Sequence, residues 1–160
     1  MPEWTVDPTA STVAFMVRGF WGLVPARGTL QIERGDASTA GGELATGELV
    51  IGTASLSTRN PLRDRHLRSA AFFDVANHRQ ITFALAGEAA RNGRLRGTAM
   101  VKGTAIALDV PASIETNGET MEIHGRFELD RKAVALGHSP LGIVRGPAHI
   151  ETTIVLRRAS

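Results

Sequence analysis

Met121-Glu122-Ile123-His124-Gly125-Arg126-Phe127-Glu128-Leu129 changes character at every step, with Met121, Ile123, Gly125, Phe127 and Leu129 on one side and Glu122, His124, Arg126 and Glu128 on the other. Side chains of an extended strand point alternately to its two faces, so this period of two describes a strand with one wet and one apolar face. Near the end of the chain Ile150, Thr152, Ile154 and Leu156 alternate with His149, Glu151 and Thr153 in the same way. Working backwards, Ile106, Leu108 and Val110 repeat the pattern, as do Leu95, Gly97, Ala99 and Val101, and Ile81, Phe83 and Leu85. Shorter versions put Leu49 with Ile51, Leu30 with Ile32, and Val13 with Phe15 and Val17. About eight half-buried strands result.

Turn residues sit between these runs: Arg34-Gly35-Asp36, Asn92-Gly93, Lys102-Gly103 and Asn117-Gly118-Glu119. Asn-Gly supplies the positive φ angles of a tight hairpin, so neighbours in sequence are expected to pair antiparallel as a meander. Residues 60–70 break the pattern. Asn60 is a helix cap, Pro61 suits the first helical position, and Asp64 and Arg68 stand four apart, so a short helix is expected near residues 61–70, held by Leu67, Ala70 and the Phe72-Phe73 pair. An open sheet would leave unpaired edges. A closed antiparallel barrel of eight strands has none and can enclose one small ligand, while a filled sandwich uses the same periodicity and stays as the competitor.

The chain has 160 residues, 42% of them hydrophobic and 21% charged, which suits one soluble domain over residues 1–160. With no cysteine, disulfides, thiolate nucleophiles and iron–sulfur clusters are excluded. The pI near 9.9 accompanies a net charge of only +2, because no Tyr or Cys titrates in the alkaline range. Nucleic-acid binding would need a larger basic excess than the patch Arg59, Arg63, Arg65 and Arg68, which contains Asp64. The N-terminus lacks the pattern of a secretory signal, and no stretch reaches the about 18–20 apolar residues of a membrane-spanning helix, so a cytoplasmic address is expected.

Catalytic templates fit poorly. Residues 137–142 (GHSPLG) depart from a nucleophile elbow, the histidines at 66, 78, 124, 138 and 149 form no i,i+4 metal pair, and no phosphate-binding glycine loop occurs. The expectation is a binding protein without catalysis, metal or cofactor other than its bound ligand. Trp4 and Trp21 are assigned to local packing rather than to a cavity entrance.

Several blocks resemble one family. Trp4-Thr5-Val6-Asp7-Pro8 followed by Ser11-Thr12-Val13-Ala14-Phe15 looks like its W-x-V/I-D-P opening and first strand. Arg63-Asp64-Arg65-His66-Leu67-Arg68-Ser69, then Phe72-Phe73-Asp74 and Ile81-Thr82-Phe83, is similar to its R-D-x-H-L-x-S…F-F-D…I-x-F block. Residues 95–104 (LRGTAMVKGT) resemble its L-x-G-x-L-x-x-x-G-x-T element, and Phe127-Glu128-Leu129-Asp130-Arg131 its late strand ending in D-R. These are features of the YceI-like family of polyisoprenoid-binding proteins. The resemblance implies a lipocalin-like eight-stranded barrel that carries or sequesters a long isoprenoid lipid, a polyprenyl chain or an isoprenoid quinone, in an apolar tunnel. Many relatives carry a secretory signal, and relatives are often dimeric, so a homodimer stays open. The residues expected to line such a tunnel are Phe15, Val17, Leu30, Leu49, Phe72, Phe73, Ile81, Phe83, Leu85, Leu108, Ile123 and Phe127, with Arg63 and His66 as headgroup contacts. Two rivals remain: an enzyme acting on a hydrophobic substrate in the same barrel with His66 as acid or base, and a stress-related interaction protein with a filled core.

Overall fold

A computed structural model describes residues 3–19, 24–70, 72–91, 93–129 and 144–159. It contains nine strands and one helix in the order β1 (Trp4–Val6), β2 (Thr12–Gly19), β3 (Val24–Ala40), β4 (Glu43–Ser57), α1 (Pro61–Arg68), β5 (Gln80–Arg91), β6 (Arg94–Val101), β7 (Thr104–Asn117), β8 (Thr120–Leu129) and β9 (Val144–Arg158). From β3 to β8 each strand pairs antiparallel with the next in sequence. β8 then pairs with β9, β9 with β2, and β2 with β3. The ring is closed.

The closed barrel has eight positions, because β1 and β2 share one. Both lie antiparallel between β3 and β9, β1 opposite Ala37 and Arg158 and β2 opposite residues further along the same two strands. The break at residues 7–11 is sealed by substitution: Val155 donates its N–H to Ser11 Oγ at 2.9 Å and accepts from Asp7 N–H at 2.8 Å, so neither backbone group is left unpaired. Trp4 is fully buried under the Arg158 guanidinium, 4.6 Å from the ring centre.

The turns follow the glycines, with one correction. Lys102 and Gly103 both take positive φ (52° and 78°), the geometry of a two-residue hairpin, and Gly93 and Gly118 are likewise positive. Arg34-Gly35-Asp36 is no turn. It lies inside β3, next to a register shift between Ile32 and Arg34, and the chain reverses instead at Gly41 and Gly42, both with positive φ. Gly35 serves close approach: a Cβ there would stand 2.7 Å from Val6 Cγ2 and 2.9 Å from the Glu48 carbonyl.

The helix also departs in detail from its expectation. It ends at Arg68 rather than near residue 70, where extended Ser69 caps it and donates its N–H to the His66 carbonyl. The Asp64–Arg68 spacing does not produce a pair. Asp64 turns inward to Thr58, and Arg68 Nη2 donates to the Leu56 carbonyl at 2.6 Å, tying the helix to the end of β4. Leu67 and Phe72 are buried as expected, whereas Ala70 is exposed.

Candidate functional site

Strand alternation aims one set of side chains from every strand at the barrel axis, and these do not fill it. Space for the centres of water-sized molecules amounts to about 200 Å³. That is on the order of fifteen times what one water needs, so the barrel is hollow where a filled core would leave no cavity. The bore runs from Val6, Ile154 and Leu156, near the β3–β4 hairpin, to Val17, Leu129 and Ala148 at the other end, where Leu67, Phe72 and Phe73 face it from the helix and its exit.

Its chemistry is almost entirely hydrocarbon. Among the described lining residues only Asp36, Glu48 and Thr152 have polar side chains. Asp36 and Glu48 are opposite one another on β3 and β4, and both are exposed. The inward positions beside them are Gly35 and Ala37, and Gly47 and Leu49, so alternation points both carboxylates away from the bore. Thr152 is different. It alternates with Ile150, Ile154 and Leu156 and faces inward, its hydroxyl only 3.5 Å from the Gly125 carbonyl, a long contact for a hydrogen bond.

All twelve residues expected along a tunnel, Phe15, Val17, Leu30, Leu49, Phe72, Phe73, Ile81, Phe83, Leu85, Leu108, Ile123 and Phe127, border this one cavity. Phe15 and Phe73 meet edge to face with ring centres 6.0 Å apart, bringing β2 and the turn after α1 together on the wall. Arg63 and His66 are not on the bore. Arg63 donates from Nε to Thr58 Oγ1 at 3.0 Å and from Nη2 to the Thr58 carbonyl at 3.1 Å. His66 is exposed, its ring against Phe72 at 4.8 Å. Thr152 was missed by sequence reasoning, though its place in the apolar phase of an alternating strand is a legible signal. Trp21, Asn92, Asp130, Arg131 and the 132–142 segment lie outside the described residues.

Among the described residues the ion pairs lie outside the bore. Asp109 accepts from Arg94 Nε at 2.8 Å and lies 3.3 Å from Arg96 Nε; the Arg94 hydrogen bond, ahead of the two guanidinium charges, holds its carboxyl below the usual range. Asp7 is held low in the same way, first by the Thr9 hydroxyl and then by Arg157 at 2.9 Å. Among the described residues there is no group of His, Asp and Glu able to hold a metal, and no helix long and apolar enough to cross a membrane.

The YceI-like domain family matches residues 4–156, nearly the whole chain. The protein belongs to the YceI-like family. A UPF0312 protein of Pectobacterium atrosepticum is 31% identical over 109 residues, 68% of this chain and 48% of that protein. Protein YceI of Escherichia coli O157:H7 is 29% identical over 109 residues, with the same coverage. The chain thus spans about half the length of the curated relatives it matches. Among solved structures, Burkholderia cenocepacia BcnA superposes with a TM-score of 0.82 at 22% identity, covering 94% of this chain and 98% of that one. A polyisoprenoid binding domain from Saccharophagus degradans, implicated in plant cell wall breakdown, gives 0.80 at 16% identity, covering 99% and 100%. At such identities these two establish the shared YceI-like barrel.

Proposed function

We propose that this protein binds a long isoprenoid lipid, a polyprenyl chain or isoprenoid quinone, inside the barrel and carries or sequesters it without altering it chemically. The observation that carries the reading is the bore itself: continuous, unfilled by side chains and hydrocarbon-walled, with Thr152 the one inward polar side chain among the described residues. A methyl-branched chain asks for no directional partners. Each carbon moved from water into such a channel contributes about 0.8 kcal/mol, so a few prenyl units suffice to outweigh the cost of holding the chain still. A small polar metabolite would find almost nothing here to replace its water. The Saccharophagus neighbour, a polyisoprenoid binding domain, supports the ligand class.

Organic extraction of the purified protein, native mass spectrometry and uptake of prenyl quinones test the reading together. Expected are a co-purifying isoprenoid, or saturable uptake of one prenyl chain per barrel. A protein that carries no lipid and takes up none overturns it.

A further inference from the structure

We infer that the lipid enters the bore sideways, through a slit in the wall between β7 and β8, and leaves an uncharged polar head in a basin outside it. The inference rests on the carrier reading above. β7 and β8 pair only from Ala112 opposite Gly125 to Asn117 opposite Thr120. Yet β7 begins at Thr104 and β8 runs on to Leu129. Over 108–111 β7 bonds to β6 and not to β8, and over the facing residues 126–129 β8 bonds to β9 and not to β7. β4 and β5 also pair over a short stretch, Glu48–Gly52 against Gln80–Ala84, but only the β7–β8 gap opens onto a second described pocket.

Residue 111 explains where the zipper stops. Successive N–H groups of a strand point to opposite sides. Ala112 donates its N–H towards β6, to the Gly93 carbonyl at 2.9 Å, so an N–H on residue 111 would face β8. Residue 111 is proline and has none. Beyond it, over 108–111 and 126–129, the two strand edges do not pair.

The slit joins two different environments. Ala112, Gly125 and Thr152 border both the bore and an outer basin of about 420 Å³. Gly125 leaves the throat clear, since a Cβ there would sit 3.1 Å from Thr152 Oγ1. The Thr152 hydroxyl, with only its long contact to the Gly125 carbonyl, has hydrogen-bonding capacity to offer an incoming oxygen. In the basin Arg126 faces Glu151 at 3.4 Å, and the basin's His124 lies 2.9 Å from Glu122 beyond its rim. Matched charges suit an alcohol, phenol or quinone head. A phosphate would call for cations without a carboxylate beside them.

The test compares exchange of a fluorescent prenyl alcohol between vesicles and protein in the wild type, Pro111→Val and Gly125→Leu. Pro111→Val restores the N–H facing β8, so it is expected to raise amide protection over 126–129 and to slow entry and exit alike, severalfold, with the amount bound at equilibrium unchanged. Gly125→Leu is expected to slow exchange by filling the throat. Thr152→Val is expected to weaken the prenyl alcohol severalfold but not a plain isoprenoid hydrocarbon. Unchanged exchange in both Pro111→Val and Gly125→Leu overturns the portal, and tighter uptake of a polyprenyl phosphate than of the alcohol overturns the head assignment. Failure of the wild type to take up any prenyl lipid is a different result and counts against the carrier reading itself.

Discussion

The carboxylate of Asp64, in the first turn of α1, accepts hydrogen bonds from both the backbone N–H and the hydroxyl of Thr58, six residues earlier in the chain. Asp64 is buried at 7% exposure, and the Arg63 guanidinium completes the arrangement by donating to the same hydroxyl and to the Thr58 carbonyl. The adjacent Arg-Asp pair is therefore a clasp that folds the helix back onto the strand it has just left. Leu67 and the Phe72-Phe73 turn are held over the end of the bore as a result. Arg63, one of the two residues expected as headgroup contacts, is bonded to Thr58 in this clasp.

Removing the acceptor leaves the buried Thr58 N–H and the proton of its hydroxyl with nothing to donate to, which costs about 2–3 kcal/mol. Asp64→Ala should thus lower the melting temperature by roughly 4–12 °C in a chain of this size. Arg65→Ala, on the exposed face of the same helix, should change stability by no more than about 0.5 kcal/mol. Calorimetry on the two variants checks the contrast, and equal effects would mean that Thr58 does not anchor the helix.

Gly97 stands where a Cβ would collide with the Phe83 ring and the Ala84 carbonyl across the β5–β6 pair. The ring can move and the carbonyl cannot, so Gly97→Val forces either a shift of strand β5 or a Phe83 rotamer change on the bore wall. The expected destabilisation is about 1–3 kcal/mol, read from denaturant titration, with prenyl uptake reduced in proportion to the folded fraction or more.

The contrast between Gly35 and Gly103 shows where sequence reading stops. The strands, their inward faces and the closure were legible because period-two alternation is local and unpaired edges are costly. The lining set followed: Phe83 or Ile123 faces inward by parity alone. Glycines were not decidable in the same way. Lys102-Gly103 is a turn and Arg34-Gly35-Asp36 is not, and what separates them is a tertiary neighbour, Val6 on β1, which no local pattern reveals. The i,i+4 spacing of Asp64 with Arg68 is visible in sequence, and the position of Thr58 beneath the helix is not. Parity alone places Thr152 inward, but its position across from Gly125 comes from the β8–β9 register, which the local pattern does not reveal.

Ala99 faces the bore from β6, with Phe83 of the next strand beside it. Putting a phenyl ring there occupies vacant space instead of displacing packed atoms, so Ala99→Phe should cost little or even stabilise, within about 1 kcal/mol. Its effect on ligand uptake should be large, because the ring takes the volume that the prenyl chain needs. Thermal melting together with titration of a prenyl quinone separates these quantities. A variant that melts normally and still binds as the wild type does would place the ligand outside the bore.

Asp7 closes the break between β1 and β2 from outside, accepting from Thr9 N–H and hydroxyl and from Arg157 Nε. Those donors favour the ionised form and lower its folded-state pKa below that of the unfolded chain. The folded state then binds a proton less readily than the unfolded one. The contribution is complete above the unfolded carboxylate range and is lost as pH falls through the folded value. Wild type should therefore exceed Asp7→Asn in stability by a constant margin above about pH 5, narrowing below about pH 4. Added salt should shrink the part owed to Arg157 and leave the Thr9 part, since only the former is a charge pair in reach of screening. Denaturation midpoints of the two proteins across pH and salt check both statements, and a margin that survived into strong acid would show that shape at residue 7, not its charge, holds the two strand segments in line.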